Sequence, residues 1–372
     1  MKLPNQLKSK LSVRVIGAIY VWIALIVLFA ILQPATFFNY GTVKQVLNEY
    51  AVTGLVALGL ILPLAAGLYD LSVGAIAGLS GIGSAWFLAH VSANPFLALL
   101  AGLVAALLAG GVNIIVVIGM KVDSFIGTLA TGSIITAVVT AIAGDNVITQ
   151  NVNGSFQVDF GIKSVLGMTL PVGLMLVGML LLAYLMEKTA VGRRLYATGY
   201  ETEVARLGGV NVDRLRMATL LGSSLFAGLA GVCEAASLGA GDPTVGPAYL
   251  LPAFAAAFLG ATQFRGGRFN PWGTVVAVLL LGTGDVGLLI VGAPAWTPSI
   301  FEGLLLITAV SLTHAHGLNP LRSLRNRFGN RQASADVTPS AGGAQMVDEV
   351  PQAATPTLMV NEPTAKPSGG QA

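Results

Sequence analysis

Charge is what this chain has least of: only 10% of its 372 residues are Asp, Glu, Lys or Arg, alongside one cysteine and three histidines. The single Cys233 excludes an intrachain disulfide, and its apolar neighbours mark it as a buried, inert thiol. His314 and His316 stand without cysteine or carboxylate companions, so no metal site is expected. The chain also lacks a Gly-x-x-x-x-Gly-Lys-Ser/Thr phosphate loop, a His-Glu-x-x-His pair and a Gly-x-Ser-x-Gly elbow. It is therefore not expected to be an enzyme, to hydrolyse ATP by itself or to hold a cofactor.

What is present is apolar. The chain is 54% hydrophobic with 46 glycines, and its mean hydropathy is +0.77. Its apolar runs reach the roughly 20 residues needed to cross a bilayer. Long runs, rather than short alternating ones, exclude a membrane β-barrel. The expected fold is all-α, a polytopic inner-membrane helical bundle of about ten spans at 15–32, 50–68, 71–90, 95–118, 125–142, 166–186, 217–238, 250–260, 272–291 and 299–312. The second and third are nearly fused, and 250–260 is short for a crossing.

Lysine and arginine set the orientation. With the N-terminus inside, Lys2, Lys8, Lys10, Arg14, Lys121, Arg265, Arg268 and Arg322 to Arg331 all fall on the cytoplasmic side, and only Lys44 and Lys163 fall outside. Both termini are thus expected in the cytoplasm. The first apolar segment is longer than a usual signal core and has no convincing cleavage site, so it reads as a retained span. Residues 1–14 form an N-terminal arm, 15–316 the transmembrane domain and 317–372 a cytoplasmic tail. From Asn330 onward the tail is rich in Ser, Thr, Pro, Gly, Gln and Ala and is expected to be disordered.

Against this background the stretch 187–216 stands out, gathering Lys188, Arg193, Arg194, Arg206, Arg214 and Arg216 between two apolar runs. Glu201 to Leu207 fits a short helix with Val204 and Leu207 as its apolar face. Further along, Gly260, Gly266, Gly267 and Gly273 surround Thr262 to Arg268, the pattern of a tight turn between closely approaching helices. Intramembrane acids are costly and so informative. Asp70, with Ser72, lies at a span junction and suits a cap for the next helix. Asp285 and Glu234 lie in or near the ends of spans, where a polar pathway is one reading and solvation of a helix end another. Glu302 falls near an outer edge.

The order Tyr69-Asp70-Leu71-Ser72-Val73-Gly74, Gly111-Val112-Asn113 and Phe125-Ile126-Gly127-Thr128-Leu129-Ala130-Thr131 resembles the permease subunits of bacterial ribose-type ABC importers. The likeness continues through Gly192-Arg193-Arg194-Leu195-Tyr196-Ala197-Thr198-Gly199 and Gly260-Ala261-Thr262-Gln263 to Gly273-Thr274, covering roughly 47–312. These permeases share a superfamily with branched-chain amino acid permeases. The chain departs from their common pattern at Gly67-Leu68-Tyr69-Asp70, Leu250-Leu251-Pro252, Ser237 and Glu201.

The resemblance implies a pore built with a second permease copy or a homologous permease. Two cytoplasmic ATPase subunits would hydrolyse ATP, and an extracytoplasmic binding protein would deliver a monosaccharide or related polar solute. No nucleic acid is expected. The resemblance places an ATPase-coupling loop at Gly192, Arg193, Arg194, Gly199, Glu201, Ala205 and Gly209, to which the local helix adds Val204 and Leu207. A bulky charge at Ala205 is expected to obstruct docking. Asp70, Ser72, Asn113, Thr128, Thr131 and Asp285 are the candidate pathway or helix-junction residues. A branched-chain amino acid permease is the alternative within the superfamily, and an ion-coupled secondary transporter the alternative outside it.

Overall fold

The computed structural model describes residues 13–317 other than 166, 265 and 266, with side chains between 17 and 311 apart from 165. The arm up to residue 12, Arg265, Gly266, the side chains of His314 and His316, and the tail from 318 lie outside the described residues. Fourteen helices occur in that range: α1 Val13–Leu32, α2 Pro34–Phe37, α3 Tyr40–Ala65, α4 Val73–His90, α5 Pro95–Ile114, α6 Ser124–Ala143, α7 Leu170–Lys188, α8 Ala190–Tyr200, α9 Thr202–Leu207, α10 Val212–Leu238, α11 Val245–Ala248, α12 Leu250–Ala261, α13 Pro271–Ile290 and α14 Thr297–Gly317. A π-helical turn, Ile115–Gly119, extends α5.

Among the described residues, seven helices are long and apolar enough to cross a membrane: α3, α4, α5 with its extension, α6, α7, α10 and α13. Three shorter apolar stretches, Gly17–Leu32, Val245–Ala261 and Thr297–Ser311, accompany them. The lateral faces are greasy, with Leu108, Ile134 and Val177 all turned outward. Such an apolar belt suits lipid rather than water. This is a multi-pass helical membrane protein.

Helix ends follow local chemistry. The spacing of apolar residues puts the second span at 50–68, whereas α3 starts ten residues earlier, at Tyr40. Asn39 supplies the reason, since its side chain accepts from the Gly41 amide at 3.2 Å and so satisfies one free helix-start donor. On the exposed side of the added turns Gln45 donates to Glu49 at 2.9 Å, while Thr42 is buried. Likewise α10 starts at Val212, not Met217, because Asn211 accepts from the Arg214 amide at 3.0 Å.

The α6–α7 connection contains structure that periodicity does not signal. A π-helical turn, Gln157–Ile162, precedes a minimal antiparallel pairing of β1 Ser164–Val165 with β2 Met168–Thr169. Ile148 also forms an isolated bridge to Gly241, tying this connection to the α10–α11 turn.

Helix α10 lies at the centre, packed against α3, α4 and α5, while α13 packs on α3, α12 and α1. The approach of α10 to α4 depends on Gly231: a β-carbon there would lie 1.9 Å from the Ala77 carbonyl oxygen. Small residues permit backbones to meet this closely, which raises dispersion contact where lipid supplies no hydrophobic drive. Cys233, on the same helix, is free and buried.

Candidate functional site

Between α3 and α4 the chain breaks for residues 66–72 and brings polar groups into the interior. Gly67, with φ +76°, adopts the left-handed conformation that ends α3. Asp70 is fully buried, so its carboxyl needs donors nearby. One oxygen accepts from the Ser72 hydroxyl at 2.6 Å and the Ser72 amide at 3.2 Å. The other accepts from the Ser223 hydroxyl of α10 at 2.8 Å.

The network continues outward from Ser72. Its hydroxyl accepts from the Asn113 amide of α5 at 2.7 Å, and Asn113 in turn accepts from Thr131 of α6 at 2.5 Å. Thr128 accepts from the Leu71 amide at 2.9 Å, and Ser124 accepts from the Tyr69 amide at 3.1 Å. Five of the six candidate pathway or junction residues therefore meet in one buried lattice spanning α4, α5, α6 and α10. Asp70 makes its backbone bond at the capping residue Ser72 itself, as a local turn, rather than further into α4.

Asp285 belongs elsewhere. It is buried on α13, where the Tyr50 hydroxyl of α3 donates to its carboxyl and the Glu302 carboxyl of α14 is a neighbour. Its Oδ1 has no hydrogen-bond partner among the described residues. At the opposite end of α13, Asn270 organises the turn predicted around Gly260 and Gly273. Its Nδ2 donates to the carbonyls of Gly260, Gln263 and Arg268 at 3.0–3.1 Å, while its Oδ1 accepts from the Gly273 amide at 2.7 Å. A β-carbon at Gly273 would lie 2.1 Å from the Gly260 carbonyl oxygen, so the close approach expected there is present.

The arginine-rich stretch folds as two short helices between α7 and α10. Thr189 begins α8 by accepting from the Gly192 amide at 3.3 Å. Leu195 anchors α8 in the core, and the Tyr196 hydroxyl donates to the Phe269 carbonyl at 2.6 Å. Gly192 and Gly199 are points of contact: a β-carbon would lie 2.1 Å from the Met186 carbonyl oxygen at the first and 2.2 Å from that of Ala65 at the second. Arg193, Arg194 and Glu201 are exposed. Gly209, with φ +81°, makes the left-handed turn after α9.

Helix α9 divides its residues sharply. Val204 is 64% exposed and Leu207 88%, whereas Ala205 is only 6% exposed. Ala205 thus faces inward, against the loop's own body, and is not on the outer face. The expectation that charge at Ala205 would block a docking surface is corrected accordingly, because a six-residue helix leaves its orientation to packing. Arg216 of α10 fixes the inner side, donating to the Thr202 hydroxyl at 3.1 Å. Arg206 pairs with Glu203 at 3.3 Å on the exposed side.

Residues 42–310 match the family described as "Branched-chain amino acid transport system / permease component". The chain belongs to that family. Among its relatives, the ribose import permease protein of Bacillus subtilis is 32% identical over 289 residues, 77% of this chain and 89% of that protein. The D-allose transport system permease protein of Escherichia coli is 31% identical over 80% of this chain and 90% of its own. The fructose import permease protein of Rhizobium meliloti is 31% identical over 77% and 81%. No solved structure matches the chain.

In this permease several organising residues lie where sequence reading looked past them. Ser223 is one small polar residue inside an apolar helix and 153 positions from Asp70, so nothing local points to the pair. Tyr50, 235 positions from Asp285, is hidden in the same way. Asn270 was within reach, since Asn followed by Pro at the first helical position is a helix-start signal. Among the described residues no cluster suited to a metal ion occurs.

Proposed function

We propose that this permease is the membrane-spanning subunit of an ABC importer for a monosaccharide or related polar solute, seated in the bacterial plasma membrane with both termini cytoplasmic. It pairs with a second permease copy or a homologue. Two ATPase subunits at the arginine-rich end bind and hydrolyse ATP, and a binding protein delivers solute at the other end.

The observation that carries this reading is the outer face of α9. Val204 and Leu207 are exposed apolar side chains on a charged loop, left uncovered by the described residues. A hydrophobic knob of this kind fits a groove on a soluble subunit, and the surrounding cations supply its polar rim. The sugar reading is supported by relatives whose names specify ribose, D-allose and fructose. The family description supports import of a branched-chain amino acid as the second reading.

Uptake by the complete importer separates the two. Cells carrying the permease with its ATPase and binding-protein partners are expected to accumulate labelled D-ribose, D-allose or fructose and to ignore labelled L-leucine. Accumulation of leucine with none of the three sugars would establish the second reading.

A further inference from the structure

We propose that the cavity at the end of the permease opposite α8 and α9 is a docking site for a neutral polyhydroxy solute, held by the Glu234 carboxylate, the Tyr249 hydroxyl and the Asn48 amide. The proposal rests on the reading of the chain as a sugar permease and adds to it a place of contact within this subunit.

Topology fixes the location. Helix α7 runs toward the arginine-rich loop and α10 away from it, so Thr169 before α7 and Ser237 at the close of α10 lie at the far end. Asn48 and Glu49 on the early turns of α3, with Tyr249 at the start of α12, join them around a cavity of about 430 Å³. That volume falls within the usual range for small-molecule sites.

The chemistry of the lining is specific. Asn48 is oriented by Thr169, whose backbone amide donates to it at 3.3 Å and whose hydroxyl donates at 2.7 Å. A backbone N–H can only donate, so the atom facing Thr169 is the amide oxygen, and the Asn48 Nδ2 has no partner among the described residues. Glu234 lines the cavity beside Tyr249, and a carboxylate there offers several acceptor positions. Glu49 adds a second carboxylate and Ser237 a hydroxyl that both donates and accepts.

The site thus offers acceptors in excess, one unspent amide donor, and the apolar side chains of Val52 and Leu238 beside them. A sugar presents the complement: many hydroxyl donors on a ring with apolar C–H edges. Among the described residues no lysine or arginine lines the cavity. A phosphorylated sugar would bring an anionic group with no cation to receive it, at a desolvation cost that a neutral polyol avoids.

The test uses the full chain with its partner subunits in cells, measuring maximal uptake of D-ribose, D-allose and fructose at equal permease abundance in the membrane. Glu234→Gln and Asn48→Ala alter the polar contacts, while Tyr249→Phe keeps the ring and deletes only the hydroxyl. Each variant is expected to slow uptake of the sugars that wild type carries by about tenfold, and unequally, because sugars differing in hydroxyl position meet the same groups differently.

Rates within about twofold of wild type for every sugar would overturn the proposal. So would an equal fall for all sugars in every variant, the mark of a purely structural defect. If wild type imports leucine and none of the sugars, the functional reading fails and the proposal falls with it. If wild type imports a sugar and the variants do not change its handling, the cavity assignment alone fails.

Discussion

Asp70 is buried among four helices, and its carboxyl persists there because Ser72 and Ser223 donate to it. Removing one donor leaves an oxygen under-satisfied, and removing the carboxyl strands two hydroxyls. Ser223→Ala is expected to lower stability by about 1 kcal/mol, and Asp70→Ala by more, both read as earlier thermal unfolding of the purified permease. Unchanged melting for both would show that the lattice does not hold the junction together. How much of this was legible divides by distance along the chain. Asp70 and Ser72 are adjacent enough to suggest a cap, and Asn113, Thr128 and Thr131 stand out as polar residues in apolar motifs. Their convergence, and the contribution of Ser223, depend on helix packing that no local pattern encodes.

Helices set the next scale, and α9 is the decisive one. Its existence follows from the spacing of Val204 and Leu207, but which side faces outward is fixed only by the contacts of Ala205 and Thr202. Val204→Glu and Leu207→Glu are therefore expected to abolish solute-stimulated ATP hydrolysis by the assembled importer while leaving membrane insertion and dimer formation unchanged. Lys188→Gln changes an electrostatic contribution typically under about 1 kcal/mol and is expected to leave most activity. Normal stimulation in both glutamate variants would remove α9 as the contact with the ATPase. Ala205→Glu is expected to act differently, by forcing a charge into the loop's interior, so that stability falls together with activity. Such a variant cannot distinguish docking from folding, whereas Val204 and Leu207 can.

At the scale of the whole molecule, apolar content and run length made a multi-pass helical bundle plain, and the ordered glycine-rich motifs pointed to the permease family. Span boundaries were less legible because polar first turns, as in α3 and α10, depend on the capping residues Asn39 and Asn211 rather than on hydropathy. Short apolar pieces such as 245–261 fall below the length that hydropathy alone can assign as a crossing. The exposed apolar face of α9 supports the proposal at the centre of this account, that the chain moves solute only when a separate ATPase drives it. The direct measurement is uptake into liposomes containing the purified permease, with and without its ATPase subunits, supplied with binding protein and labelled D-ribose, D-allose or fructose. Uphill accumulation is predicted only when the ATPase subunits and ATP are present, and not under a proton or sodium gradient alone. Accumulation driven by an ion gradient in liposomes that lack the ATPase would contradict the account.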